Sequence, residues 1–292
     1  MTGRVAVVAL AGQLAACGSV AAEQRPIGIV PFTFTGKLMF VPVRVNDASA
    51  VSFCIDSGAP HSVIDPRLAS KLGLKSRSQG SITGTGRGAV ALTNLEAVKL
   101  SIERVPIDVA SPYQIDLSGV PIPPTTLGLI GFEIFEQYVV RIDPVARTIA
   151  FHDPTRFAYS GRGARLPLIA DHNKLFIDAT LDVKPGVSVV HRLRIDLGSE
   201  DSVNDEIVAQ ARETRRTSLG NGLGSNFEGV SGVLDAVHIG PYLIRHVWGP
   251  GAPHPAIGME IFRRFISTFD ARRGVLYLEP TAALDDPVPG PP

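Results

Sequence analysis

The sequence predicts a mainly β protein built from two similar halves, with only a few short helices. Three observations carry that reading. The 292 residues include 29 Gly and 23 Pro among many Val and Ile, a mixture that favours short strands joined by turns. Hydrophobic residues make up 45% and charged residues 19%, enough apolar material for a packed core, so a disordered chain is excluded. Most tellingly, the chain repeats itself. Ile55-Asp56-Ser57-Gly58-Ala59-Pro60-His61-Ser62-Val63 is echoed 140 residues later by Ile195-Asp196-Leu197-Gly198-Ser199-Glu200-Asp201-Ser202-Val203.

The echo extends from 55 to 69, where seven of fifteen positions are identical. Chance supplies about one. Gly131-Phe132-Glu133-Ile134-Phe135 is matched in turn by Gly258-Met259-Glu260-Ile261-Phe262, and Lys37-Leu38-Met39-Phe40 resembles Lys174-Leu175-Phe176-Ile177. The three blocks keep the same order in both halves. The expected division is therefore residues 25–155 and 166–280, with a linker at 156–165 and a Pro-rich tail at 281–292.

The elements follow in order along the chain. Residues 1–22 read as an export signal: Arg4 supplies a positive charge, and Val5–Leu14 is apolar but too short for a stable span. Leu14-Ala15-Ala16-Cys17 has the form of a bacterial lipobox, which would make Cys17 a lipidation site and anchor an exported protein to a membrane. Cleavage after Val20-Ala21-Ala22 is the competing reading. Val51–Ile55 is an apolar, β-prone run ending at Asp56, as a buried strand would be. Asp65 as N-cap, Pro66 at the first helical position and Gly73 past the end mark a short helix, with a counterpart at about Asn204–Arg212. Ser78–Gly88 is Gly-rich, strands are expected at Ala89–Leu92 and Ala97–Ile102, and Val120–Thr126 with its three prolines must be an irregular loop.

Several function classes fall away. Lys+Arg and Asp+Glu balance at 28 each, leaving no basic surface to neutralise a run of phosphates, so no nucleic-acid partner is expected. No apolar run reaches the ~20 residues that a bilayer span needs. The seven histidines are scattered without ligand spacing, and no metal or other cofactor is expected. There is no Gly-x-Ser-x-Gly elbow, and Cys54, inside an apolar run, reads as a buried small hydrophobe rather than a nucleophile.

Two Asp-x-Gly motifs, each closing an apolar strand and each followed by a hydrophobic-hydrophobic-Gly triplet (Leu129-Ile130-Gly131 and Ala256-Ile257-Gly258), resemble the two lobes of an aspartic protease. Asp56-Ser57-Gly58-Ala59 is similar to the retropepsin-like branch, and the two-lobed single chain is similar to pepsin. The resemblance implies the acid-protease fold, with Asp56 and Asp196 as the catalytic dyad. It implies supporting roles for Ser57, Gly58, Gly198 and Ser199, and a substrate flap at Ile82, Thr83, Gly84, Thr85 and Gly86. Leu197 departs from the pattern. A hydroxyl residue usually follows the Asp and hydrogen-bonds across to the other lobe, so only Ser57 can brace the pair.

The chemistry suits such a pair. An amide carbonyl is a poor electrophile, and two carboxyls held close share a proton because both cannot ionise at short separation. One takes a proton from water while the other polarises the carbonyl oxygen. The expected activity is endopeptidase cleavage of a polypeptide substrate in the periplasm or cell envelope, by a protein that can act as a monomer. The rival is an envelope lipoprotein that keeps the fold as a peptide-binding or scaffolding module. For the anchor, Cys17→Ser should move the protein from membranes to the soluble envelope fraction. A protein already soluble, with its mature N-terminus at Glu23, would instead favour cleavage after Ala22.

Overall fold

The computed structural model describes residues 25–220 and 222–290. The export signal and Cys17 lie outside the described residues. The fold is mainly β and consists of three curled sheets. Strands between Thr33 and Ile130 form a ten-stranded sheet, and strands between Ile169 and Gly258 form an eight-stranded one.

The third sheet belongs to both halves. Its six strands run in the order Gly28–Pro31, Thr148–His152, Val139–Asp143, Phe265–Asp270, Val275–Pro280, Ala164–Pro167. The joint lies at its centre, where Val139–Asp143 pairs antiparallel with Phe265–Asp270 and Val140 faces Phe269. Phe265–Asp270 and Val275–Pro280 are buried on both faces for most of their length, and Phe265, Phe269, Val275, Leu276 and Leu278 supply their apolar core contacts. Phe135 meets Phe269 edge-on, with ring centroids 5.2 Å apart, so an aromatic pair seals the joint.

The repeat in the sequence is a repeat in wiring. Val51–Ile55 lies parallel to Thr126–Ile130, with Ile55 beside Ile130, and Thr126–Ile130 is also antiparallel to Val63–Ile64. Val187–Asp196 lies parallel to Ala256–Gly258, with Ile195 beside Ile257, and that strand is antiparallel to Val203–Asn204. Each Asp thus leaves the end of a strand buried between neighbours. Such backbone has little freedom, which is what a precisely placed carboxylate needs.

The helix runs from Pro66 to Leu72, with the Asp65 side chain accepting from the Arg67 amide and Gly73 closing it at φ 61. Its counterpart is shorter than expected. Glu206–Gln210 is a single 3-10 turn, capped by Asp205 but lacking the Pro start and Gly stop of the first. The last expected segment also differs. Residues 283–286 are docked against the body, because the fully buried Arg264 donates to the carbonyls of Ala283, Leu284 and Asp286.

Two buried glutamates sit at matching places just beyond the triplets. Glu133 accepts from the Ser62 amide and hydroxyl, whereas Glu260 is held by Lys37, Arg263 and Arg264. Desolvation opposes the charge on Glu260, but these cations outweigh it and hold its carboxyl below the usual range. Removing one partner from such a cluster leaves orphaned groups. Arg264→Leu should therefore cost about 3–5 kcal/mol in urea unfolding, with the docked C-terminal segment becoming sensitive to proteolysis.

Candidate active site

Asp56 and Asp196 emerge from equivalent strand ends into tight turns. The Asp56 carboxylate accepts from the amides of Gly58 at 2.9 Å and Ala59 at 3.2 Å. The Asp196 carboxylate accepts from the Gly198 amide at 3.2 Å and from the Arg194 guanidinium at 2.7 Å. Turn amides that point back at a carboxylate hold it in one orientation.

The two turns press against one another. A Cβ on Gly58 would lie 2.6 Å from Asp196 Oδ1, and a Cβ on Gly198 would collide with the Asp56 carboxylate. Each acid is therefore seated on the glycine that follows the other acid. Only residues without side chains allow this approach.

One hydroxyl spans the junction. Ser57 Oγ donates to the Ile195 carbonyl at 2.8 Å and accepts from the Leu197 amide at 3.0 Å. Leu197 cannot reciprocate. It is buried, and it shares a small apolar gap with Met39, Ile142, Met259, Phe262 and Phe269. The brace is one-sided in hydrogen bonds, and packing takes the place of the missing hydroxyl.

Electrostatics then acts on Asp56. Asp56 keeps some solvent contact but is densely surrounded by protein. Burial, followed by the negative charge of Asp196, pushes its carboxyl from 3.8 up to about 7; Arg194 and the two turn amides hold it from going higher. A carboxyl that keeps its proton near neutrality beside another acid can donate a hydrogen bond while its neighbour accepts one.

A family model described as aspartyl protease matches residues 41–134, a stretch that holds Asp56-Ser57-Gly58 and Leu129-Ile130-Gly131. Residues 41–134 are similar to an aspartyl protease. No curated protein matches the chain. The match supports a hydrolase of the protease type, and the second half repeats the wiring of the aspartyl protease-like stretch without falling inside it.

Ile82 to Gly86 lie at the end of a hairpin whose strands are Ser76–Thr83 and Ala89–Leu95. A second hairpin, Thr214–Leu219 with Phe227–Ile239, answers it from the other half. The tips bond to each other: the Gly86 amide donates to Leu223, and Arg87 and Ser225 exchange two backbone bonds. Arg87 also lies over the Phe227 ring, 4.8 Å from its centroid. A cavity of about 370 Å³ opens at this junction, lined by Thr85, Arg87, Glu206, Phe227, Glu228 and His254 among others.

Other residues fall into place around the dyad. Ser199 supports the turn rather than the carboxylates, since its amide donates to the Asp196 carbonyl and its hydroxyl accepts from Asp201. Cys54 is buried, and burial pushes its thiol well up, as expected of an inert core residue. His61 lies beside Glu133 and Tyr113. Sequence reasoning missed Arg194. The signal was available, because a residue two positions before Asp196 on a strand shares its face. Ser57→Ala should remove both bonds of the brace at once and cost about 1–3 kcal/mol in chemical unfolding. Leu197→Thr should also lower stability, because it trades apolar packing for a hydroxyl in an apolar seam.

Proposed function

We propose that the protein is an aspartic endopeptidase that cleaves polypeptides in the cell envelope, with Asp56 and Asp196 as its dyad. One observation carries this reading: two carboxylates from equivalent strand ends, each seated against the other's glycine, with one of them pushed up to about 7. No cofactor enters the scheme. A water between the acids gives a proton to the ionised carboxylate as it attacks the scissile carbonyl. The protonated carboxyl hydrogen-bonds to the carbonyl oxygen and stabilises the charge that develops there. Proton return to the leaving nitrogen completes the hydrolysis.

The two joined hairpins would act as the flap of this enzyme, with Ile82–Gly86 facing an extended peptide that binds as an added strand. Their tip-to-tip bonds would have to open for a polypeptide to enter, and four backbone–backbone or cation–ring contacts are few enough for that. An exported location is supported by the N-terminal features around Arg4 and Cys17. The one-sided brace at Leu197 favours the alternative of a binding module, and activity measurements separate the two.

Asp56→Asn and Asp196→Asn should each abolish cleavage of unfolded protein while leaving the fold intact, and the double variant should be no worse than either. Activity should be bell-shaped in pH and fall as the medium rises through about 7, where Asp56 loses its proton. Stability should follow the same group. The folded protein holds this proton more tightly than the unfolded chain does, so its contribution is fully present below 3.8 and lost as the pH rises through about 7. Asp56→Asn should thus become more stable relative to wild type on going from acid to neutral pH in thermal melts. A wild-type protein that binds unfolded chains but cleaves none across about pH 3–8 would favour the binding module.

A further inference from the structure

The duplication makes two equivalent acids, yet their surroundings are not equivalent. Two residues before Asp56 stands Cys54, a buried and neutral thiol. Two residues before Asp196 stands Arg194. Strand geometry puts residues i and i+2 on one face, so whatever occupies this position lies alongside the acid. Arg194 Nη2 meets Asp196 Oδ2 at 2.7 Å, and the side chains of the pair are only 15% and 10% exposed. In such surroundings an ion pair is screened far less than at the surface. Arg194 Nε is buried with no hydrogen-bond partner, so among the described contacts Asp196 is what holds the guanidinium.

We infer that Arg194 is a positioning residue: it holds the negative charge of the dyad on Asp196 and leaves the shared proton on Asp56, so that Asp196 accepts the proton of the attacking water. This assignment of roles rests on the endopeptidase reading and adds to it the group that holds the charge on Asp196.

The other charged groups around the pair do not reverse it. From the first half, Asp56 and Cys54 face Asp196, and Lys37 is engaged by Glu260 and the Glu200 carbonyl. From the second half come Lys174, Glu200 and Asp201. Lys174 is a further cation close to Asp196, and burial, with Arg194 adding to it, lowers its affinity for a proton. Burial, in turn, favours the neutral form of Asp201. Among the described residues Asp56 itself has two amides as hydrogen-bond partners and no cation bonded to it, whereas Asp196 has an amide and a guanidinium.

Carboxyl carbon-13 NMR of the wild-type protein tests the assignment without any need for turnover. Asp56→Asn and Asp196→Asn identify the two signals. In mildly acid solution the Asp196 carboxyl should give an ionised signal and the Asp56 carboxyl a protonated one; the reverse, or two equal half-protonated signals, would overturn the inference. Arg194→Gln should move the whole pH–activity bell to higher pH by about one unit or more, because loss of the cation disfavours both ionisations of the dyad. Arg194→Lys should restore the wild-type limits. Proportional loss of activity and folding with unchanged limits would make Arg194 merely structural. A rise in activity at every pH would make it a plug on the dyad. Either result sinks the proposal. A wild-type protein without peptidase activity, but with the expected NMR pattern, would end the endopeptidase reading and leave the charge assignment standing.

Discussion

Everything at the candidate site depends on how closely two turns can approach. Each Asp carboxylate rests where the other turn's glycine has no side chain, and a single methyl at Gly58 or Gly198 would occupy carboxylate space. That contact sets the acid–acid separation. Burial of Asp56, followed by the negative charge of Asp196 beside it, keeps a proton in the site near neutral pH. The shared six-stranded sheet and the Phe135–Phe269 pair hold the halves in the register that keeps the turns pressed together.

Around that symmetric contact, the halves have diverged in chemistry while keeping their wiring. Ser57 supplies a hydroxyl that makes two bonds across the junction, and its partner position supplies Leu197, whose side chain makes none and packs instead. Glu133 is satisfied by a serine, and Glu260 by three cations. Cys54 stands opposite Arg194. Each exchange replaces one solution to a buried polar requirement with another: an unpaired group in such a place is expensive, and several different partners can remove the expense. Asymmetry of this kind gives chemically identical acids different partners.

Much was legible in the sequence because it depends on local patterns. The strand Val51–Ile55 is an apolar run interrupted only by Ser52, the helix after Asp65 carries a cap, a proline and a terminal glycine, and the hairpin over Ile82–Gly86 is announced by its glycines. The repeated Asp-x-Gly turns needed no coordinates to be matched with one another. The second hairpin was harder. Its turn has little side-chain character, and what orders it is backbone bonding to the first tip, a partner more than a hundred residues away. The segment after Pro280 reads as a tail for the same reason, since Arg264 is what captures it.

By itself, then, the sequence determined the β class, the duplication and the two acids, because periodicity, turn chemistry and internal similarity are properties of neighbouring residues. Only the tertiary structure decided that burial and a neighbouring charge raise the proton affinity of Asp56, that one serine braces both halves, and that the two hairpins join at their tips. These are differences in burial and in distance between segments remote along the chain. Coulomb interactions and desolvation depend on those distances, and nothing in the order of residues states them.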